Sequence, residues 1–234
     1  MSAPARVAVL ASGGGSNLQA LLDHLDALGT ERGAEVALVV ANRPDAGALV
    51  RAARHDVAQA TLVDPADADV LLGLLAGHDA DLVVLAGYLR LVPPTVTRAF
   101  RGRILNVHPA LLPAFGGAGM YGARVHRAVL DAGARISGAT VHFVDDAYDR
   151  GPIVAQWPVP VFASDTPDTL AARVLRVEHA LLPRVVDAVG AGRIVLDADG
   201  RVRGGYGATA VDAAFTLPPA PTTLSDDIAR VLAS

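Results

Sequence analysis

An α/β fold, an open, doubly wound and mostly parallel sheet with an antiparallel strand pair toward the C-terminal end, is predicted by three features of this chain. A short apolar run, Val7 to Leu10, breaks at Ala11-Ser12-Gly13-Gly14-Gly15-Ser16-Asn17 and restarts with helical spacing over Leu18 to Leu22. That is strand, glycine loop and helix. Continuous apolar runs at Val36 to Val40 and Leu82 to Ala86 match parallel strands covered on both faces. Thirdly, Ala46 to Arg54 and Asp69 to Leu75 between them read as helices, so strand and helix alternate as in a doubly wound sheet.

Arg103 to Val107 is the next strand. Ala139 to Val144 and Ile153 to Trp157 then flank a short turn as an antiparallel pair would. Thr166-Pro167-Asp168 supplies an N-cap, a proline at the first helical position and an acid in the first turn. The helix runs on through Leu170, Val174, Val177 and Leu181, and Pro183 is expected to kink or end it. Past Gly190 there is only a weak strand pair, Ile194 to Leu196 and Val202 onward. Leu217-Pro218-Pro219-Ala220-Pro221 reads as a tail on the surface. The expected organisation is one domain over 1–196 and a C-terminal extension over 197–234, with no internal repeat.

Composition removes several function classes. Hydrophobic residues make up 52% and charged residues 19% of the 234, which excludes a disordered chain. There is no cysteine, hence no disulfide, thiolate metal site or catalytic thiol. Every basic residue is arginine, which removes Schiff-base chemistry and a P-loop lysine. A net charge of -4 argues against nucleic acid as a partner. No apolar run is long enough for a membrane span, and Val7 follows the start without a secretory stretch, so a cytoplasmic location is expected.

The chemistry concentrates in Leu105-Asn106-Val107-His108-Pro109 and Asp149-Arg150-Gly151-Pro152. Side chains two apart on a strand share a face, so one site can use both Asn106 and His108. His108 is expected at the carboxyl edge of the sheet, where open α/β folds bind ligands. Asp149, from a turn after a later strand, can hold the imidazole and tune its proton affinity. Asn106, His108 and Asp149 are therefore read as a catalytic trio. His142 alternates with Thr140 and Val144 and can line the same cleft as a supporting residue. A two-histidine metal site with His108, His142 and Asp149 is a minor alternative, and no metal is expected. His24, His55 and His78 read as solvated, and His126 and His179 as surface or packing residues on helices.

The glycine loop sits where bare N–H groups meet the positive end of a helix. Leu18 replaces the third glycine of the dinucleotide fingerprint, and no acid follows Val40 to hold a ribose. What remains is a monophosphate site. The alternative is a tight turn with Ser16 or Asn17 as a helix cap. Glu178 by itself reads as a helix-surface charge, and Arg90 points either to the cleft or to water.

Together these segments, with Val84-Leu85-Ala86-Gly87-Tyr88-Leu89-Arg90 and Gly138 to Val144, resemble the phosphoribosylglycinamide formyltransferase family, folate-dependent enzymes of purine synthesis. The likeness covers the chain up to about residue 196. It implies a Rossmann-like formyltransferase domain that transfers the formyl group of 10-formyltetrahydrofolate, its co-substrate, to the amine of glycinamide ribonucleotide. Carried over by position, it makes Asn106, His108 and Asp149 catalytic and puts the substrate phosphate on Gly15, Ser16 and Asn17. Glu178 would meet the glycinamide end, while Leu89, Arg90, Leu91, Val92, Asp145, Asp146, Ala147 and Tyr148 would contact the folate. The segment Thr61 to Asp69 is short and lacks the arginine the family often offers the folate there. Gly116 to Gly122 replaces a commoner proline-glycine turn; its glycines suggest mobility, and no binding residue is assigned within it.

The expected partners are these two small molecules, with no membrane and a monomer or homodimer. The rivals are formyltetrahydrofolate deformylase, methionyl-tRNA formyltransferase and a phosphate-binding module without chemistry. The first two carry extra domains, and neither is expected here. In the expected mechanism the Asn106 amide and protonated His108 donate to the formyl oxygen. Asp149 raises the proton affinity of His108 and helps carry a proton from the amine to the departing folate nitrogen.

Overall fold

The computed structural model describes residues 3–204. The alternating segments form β1 (Ala5–Ala11), α1 (Ser16–Leu28), β2 (Ala34–Ala41), α2 (Gly47–Arg54), β3 (Ala58–Thr61), α3 (Ala68–Gly77), β4 (Leu82–Leu85), α4 (Pro94–Ala99) and β5 (Ile104–His108). They continue as α5 (Ala123–Asp131), β6 (Ile136–Phe143), β7 (Ile153–Pro160), α6 (Pro167–Gly190), β8 (Ile194–Leu196) and β9 (Val202–Gly204). The main sheet has seven strands in the order β3-β2-β1-β4-β5-β6-β7. β1 to β5 are parallel, and β6 and β7 each run antiparallel to the strand before. β8 and β9 make a separate antiparallel pair that straddles the boundary expected at residue 196. Residues 205–234, with the expected tail at Leu217 to Pro221, lie outside the described residues.

The double winding shows in the alternation along β1. Val7, Val9 and Ala11 face one core with Leu18, Leu21 and Leu181, whereas Ala8 and Leu10 face another with Leu71, Leu75 and Val96. Apolar side chains on both faces of one strand are what a continuous apolar run means in a covered parallel sheet. The chain reverses its winding between β1 and β4, so a crevice opens at their carboxyl ends, beside β5. No helix among the described residues is long and apolar enough to cross a membrane.

Helix α6 excludes one of the two outcomes expected at Pro183, an end to the helix. Thr166 caps it through a reciprocal box with Thr169, as its sequence predicts. Pro183, however, lies inside it, and the helix continues to Gly190. The last turns bury Val185, Val186 and Ala188 in the core, and that burial outweighs one missing backbone bond. β3 and α4 are too short for an apolar period to mark them. β3 is a four-residue edge strand, AQAT, with two exposed positions.

Thr140 on β6 fixes the chain beyond β5. Its fully buried hydroxyl donates to Ala110 O at 2.6 Å and accepts from Leu112 N and Gln156 Nε2, both at 3.0 Å. Thr140 is also the cross-strand partner of His108. Thr140→Val keeps the shape but leaves Ala110 O and Leu112 N without their partner. A loss of about 1–3 kcal/mol in urea unfolding is expected.

Candidate active site

Three separate segments converge at the carboxyl end of β5. Asn106 and His108 project from that strand on one face, as their spacing requires. His142, on β6, is the cross-strand partner of Asn106. Asp149 arrives from the turn between β6 and β7, in the left-handed region at φ 55. Its carboxylate accepts from Gly117 N at 2.8 Å through Oδ2 and from Asn106 Nδ2 at 3.5 Å through Oδ1. The same two oxygens face His108 Nδ1 at 3.5 Å and His142 Nε2 at 3.7 Å. The catalytic trio expected from sequence is therefore assembled, and His142 stands against it.

Proton positions follow from the partners. His108 Nε2 lies 2.9 Å from Phe115 O, and a carbonyl only accepts, so Nε2 carries hydrogen. By the same rule His142 Nδ1, 2.8 Å from Phe143 O, carries hydrogen, and in the neutral ring Nε2 is then the acceptor. The group 3.1 Å from that Nε2 must then donate, which makes it Asn106 Nδ2. In the free protein the Asn106 amide hydrogens thus point to His142 and Asp149. The expectation that Asp149 favours the charged form of His108 holds, but a larger effect opposes it. Burial of the 3% exposed imidazole lowers its pKa, and Asp149 offsets that without reversing it. Asp149 itself is held below the ordinary carboxylate value: burial opposes this, while His142, His108 and the Gly117 N–H outweigh it.

The turn from 115 to 122 is where sequence reasoning missed most. Phe115 O orients His108 and Gly117 N binds Asp149, while Gly119, Met120 and Tyr121 line the cleft. Gly116 is needed for the approach: a Cβ there would come within 2.4 Å of Leu112 Cδ2 and 3.1 Å of Asp149 Cβ. The close packing against Asp149 gives its glycines a role besides mobility.

The cleft has two compartments with a shared wall. One, of about 960 Å³, holds Asn106, His108, His142 and Asp149 together with Leu89, Arg90, Leu91, Val92, Val144 and Tyr148. Asp145, Asp146 and Ala147 do not line it. Asp145 accepts from Ala147 N, and Asp146 accepts the Thr97 hydroxyl of α4. The other compartment, of about 870 Å³, is lined by Gly13 to Asn17, by His126, and by Ala171, Ala172 and Leu175 of α6. Gly87, Pro109, Gly122, Asn17 and Glu178 border both.

At that wall Asn17 Nδ2 donates to Glu178 Oε2 at 2.7 Å. This overturns two of the plainer alternatives. Asn17 and Ser16 do not cap α1, since its N-cap is Gly15, without a side-chain cap. Glu178 is not a surface charge: it is 7% exposed, and burial pushes its carboxyl up to about 7 against the Asn17 bond. His126 is likewise buried, with Nδ1 unpartnered, and its pKa is lowered by burial and by His108. His24, His55 and His78, expected to be solvated, are half-buried; His55 bonds Gln19, and His78 bonds Leu74 O. Among the described residues no group of three His, Asp or Glu side chains is arranged to hold a metal ion.

The sequence profile described as formyl transferase matches residues 5–186. The phosphoribosylglycinamide formyltransferase of Arabidopsis thaliana chloroplasts is 44% identical over 202 residues, covering 83% of this chain and 68% of that protein. The crystal structure of glycinamide ribonucleotide transformylase 1 from Symbiobacterium toebii superposes with a TM-score of 0.78 at 39% identity, covering 86% of this chain and 94% of that one. A formyltetrahydrofolate deformylase from Pseudomonas syringae is also similar, with a TM-score of 0.77 at 28% identity over 87% of this chain and 66% of that one.

Two titrations test this geometry. Asp149→Asn removes the influence that raises His108, so the NMR titration of the His108 ring should move further below 6.5. For Glu178 the folded pKa, about 7, exceeds the ordinary 4.5. Its contribution to stability is therefore fully present below pH 4.5 and is lost as pH rises through 7. Glu178→Gln should reduce the difference in urea stability between pH 4.5 and pH 8 by on the order of 3 kcal/mol.

Proposed function

The chain belongs to the formyl transferase family, and from that premise we propose how its two-compartment site works. The protein is a folate-dependent formyltransferase of purine biosynthesis: the formyl group of 10-formyltetrahydrofolate passes to the amine of 5'-phosphoribosylglycinamide. The observation that carries the site assignment is the convergence of His108, Asn106 and Asp149 beside a wall shared by two compartments.

The ribonucleotide occupies the glycine-loop compartment, with its phosphate on Gly15, Ser16 and Asn17 and its glycinamide end toward Glu178. The folate lies in the compartment of His108 and Asp149, against Leu89, Arg90, Leu91, Val92 and Tyr148. Asp145, Asp146 and Ala147 act by shaping the turn that delivers Tyr148 and Asp149. The amine then reaches the formyl carbon across the Asn17–Glu178 wall.

Attack builds negative charge on the formyl oxygen and positive charge on nitrogen. The longer Asn106 bond, 3.5 Å to Asp149, is the one that oxygen replaces most cheaply. His108 enters the reaction neutral, held so by burial, and takes up at Nδ1 the proton that the attacking amine sheds, so that an imidazolium lies beside the oxyanion. Preorganised donors of this kind contribute about 3 kcal/mol each. Asp149 stabilises that imidazolium, and the same proton passes on, directly or through a water, to the folate nitrogen as its bond to the formyl carbon breaks. A cytoplasmic location fits soluble substrates of this kind.

An assay following tetrahydrofolate release with and without glycinamide ribonucleotide tests the reading. Release only with the amine supports it, release without the amine supports a deformylase, and no release supports a binding module. His108→Ala and Asp149→Asn should each lower kcat about a hundredfold or more and leave ribonucleotide affinity nearly unchanged. Near-normal turnover in both would sink the catalytic assignment.

A further inference from the structure

The glycine-loop compartment lacks a cation for an anionic guest. Among the described residues that line it there is no arginine, and the chain has no lysine. His126 is kept toward its neutral form by burial and by His108, and Glu178 is an acid.

The arginine nearest in function stands behind the loop. Arg51, on α2, donates from Nε to Gly14 O at 2.8 Å and from Nη1 to Gln19 Oε1 at 3.0 Å. Gln19 is fixed in turn by donating to Asp23 Oδ1 at 2.8 Å. One peptide earlier, Ala48 N donates to Gly13 O at 3.1 Å. In a trans peptide the carbonyl and the following N–H point in opposite directions. Two successive carbonyls drawn toward α2 therefore turn the N–H groups of Gly14 and Gly15 away from it, toward the compartment the loop lines. Gly15 is left-handed at φ 74 and Ser16 begins the helix, the alternation that makes neighbouring N–H groups converge on an anion. No side chain fits at Gly15, since a Cβ would lie 2.7 Å from Ala48 Cα.

We propose that Arg51 is the positioning residue that sets affinity for the phosphate of the ribonucleotide, by pinning the Gly14 carbonyl and supplying from behind the loop the positive charge its lining lacks. A donor on a carbonyl also polarises that peptide and strengthens its N–H as a donor. The inference rests on the phosphate reading of the glycine loop given above. Arg51 touches no reacting atom, so its effect belongs in binding.

The test is steady-state kinetics on Arg51→Gln and Arg51→Lys with the ribonucleotide, with its dephosphorylated riboside, and with inorganic phosphate as competitor. Arg51→Gln should raise KM for the ribonucleotide and Ki for inorganic phosphate about tenfold, one charge-assisted contact's worth. Its kcat, its folate KM and its kcat/KM for the riboside should match the parent. Arg51→Lys should recover most of the loss. Equal losses with ribonucleotide and riboside, or no rescue by lysine, would mean a merely structural arginine and overturn the proposal. Ser16→Asp, which puts a negative charge at the loop, separates the two ideas. If it abolishes phosphate competition while Arg51→Gln does not weaken it, the phosphate reading stands and the role of Arg51 fails. If neither variant alters phosphate competition, both fail.

Discussion

A carboxylate with few water contacts must find its partners within the fold, and Asp149 finds them in β5, in the loop after it and in β6. Its oxygens meet the Gly117 N–H and the Asn106 amide and face both His108 and His142. Each partner is itself constrained: His108 by the Phe115 carbonyl, and His142 by the Phe143 carbonyl. Two of the residues that close this arrangement, Phe115 and Asp149, hold left-handed backbone at φ 55. Such conformations cost energy and persist where surrounding contacts over-determine them. The geometry around Asp149 is thus maintained by a closed ring of donors and acceptors, and the loop from 115 to 122 is part of that ring.

The sheet explains why this ring meets a second compartment. Reversal of winding between β1 and β4 opens the crevice at the carboxyl ends of the strands. The glycine loop follows β1 there, and His108 ends β5 beside it. Helix α6 packs against α1, and this brings Glu178 to Asn17 across 161 positions of sequence. The result is one polar wall bordering two spaces of different character. One is edged by bare backbone with little positive charge of its own. The other combines apolar side chains with the titratable cluster. A reaction that joins a phosphorylated amine to a formyl carrier needs such an adjacency, because the nucleophile and the electrophile arrive on different molecules.

Local rules succeeded where one periodicity or one turn residue dominated, as in β1, the glycine loop and the Thr166 cap. They failed where tertiary burial outvoted local preference. Pro183 is a helix breaker by its own chemistry, yet α6 carries on because its last turns fill the core. Glu178 reads as a surface charge by composition and is buried, since α6 is covered on the face that meets α1. The loop Gly116 to Gly122 has no period to read, so Gly117 N and the wall contributed by Met120 and Tyr121 had no local signal.

The sequence by itself determined the doubly wound α/β class, the strand that pairs Asn106 with His108 on one face, and the family likeness that names the chemistry. These depend on alternation, helical period and short motifs, all properties of neighbours along the chain. Only the tertiary structure decided that burial lowers the proton affinity of His108 despite Asp149, that the Asn106 amide hydrogens face His142 and Asp149, and that Arg51 holds the glycine loop from behind. Desolvation and hydrogen-bond direction are set by groups that are distant in sequence and meet only when the sheet is assembled.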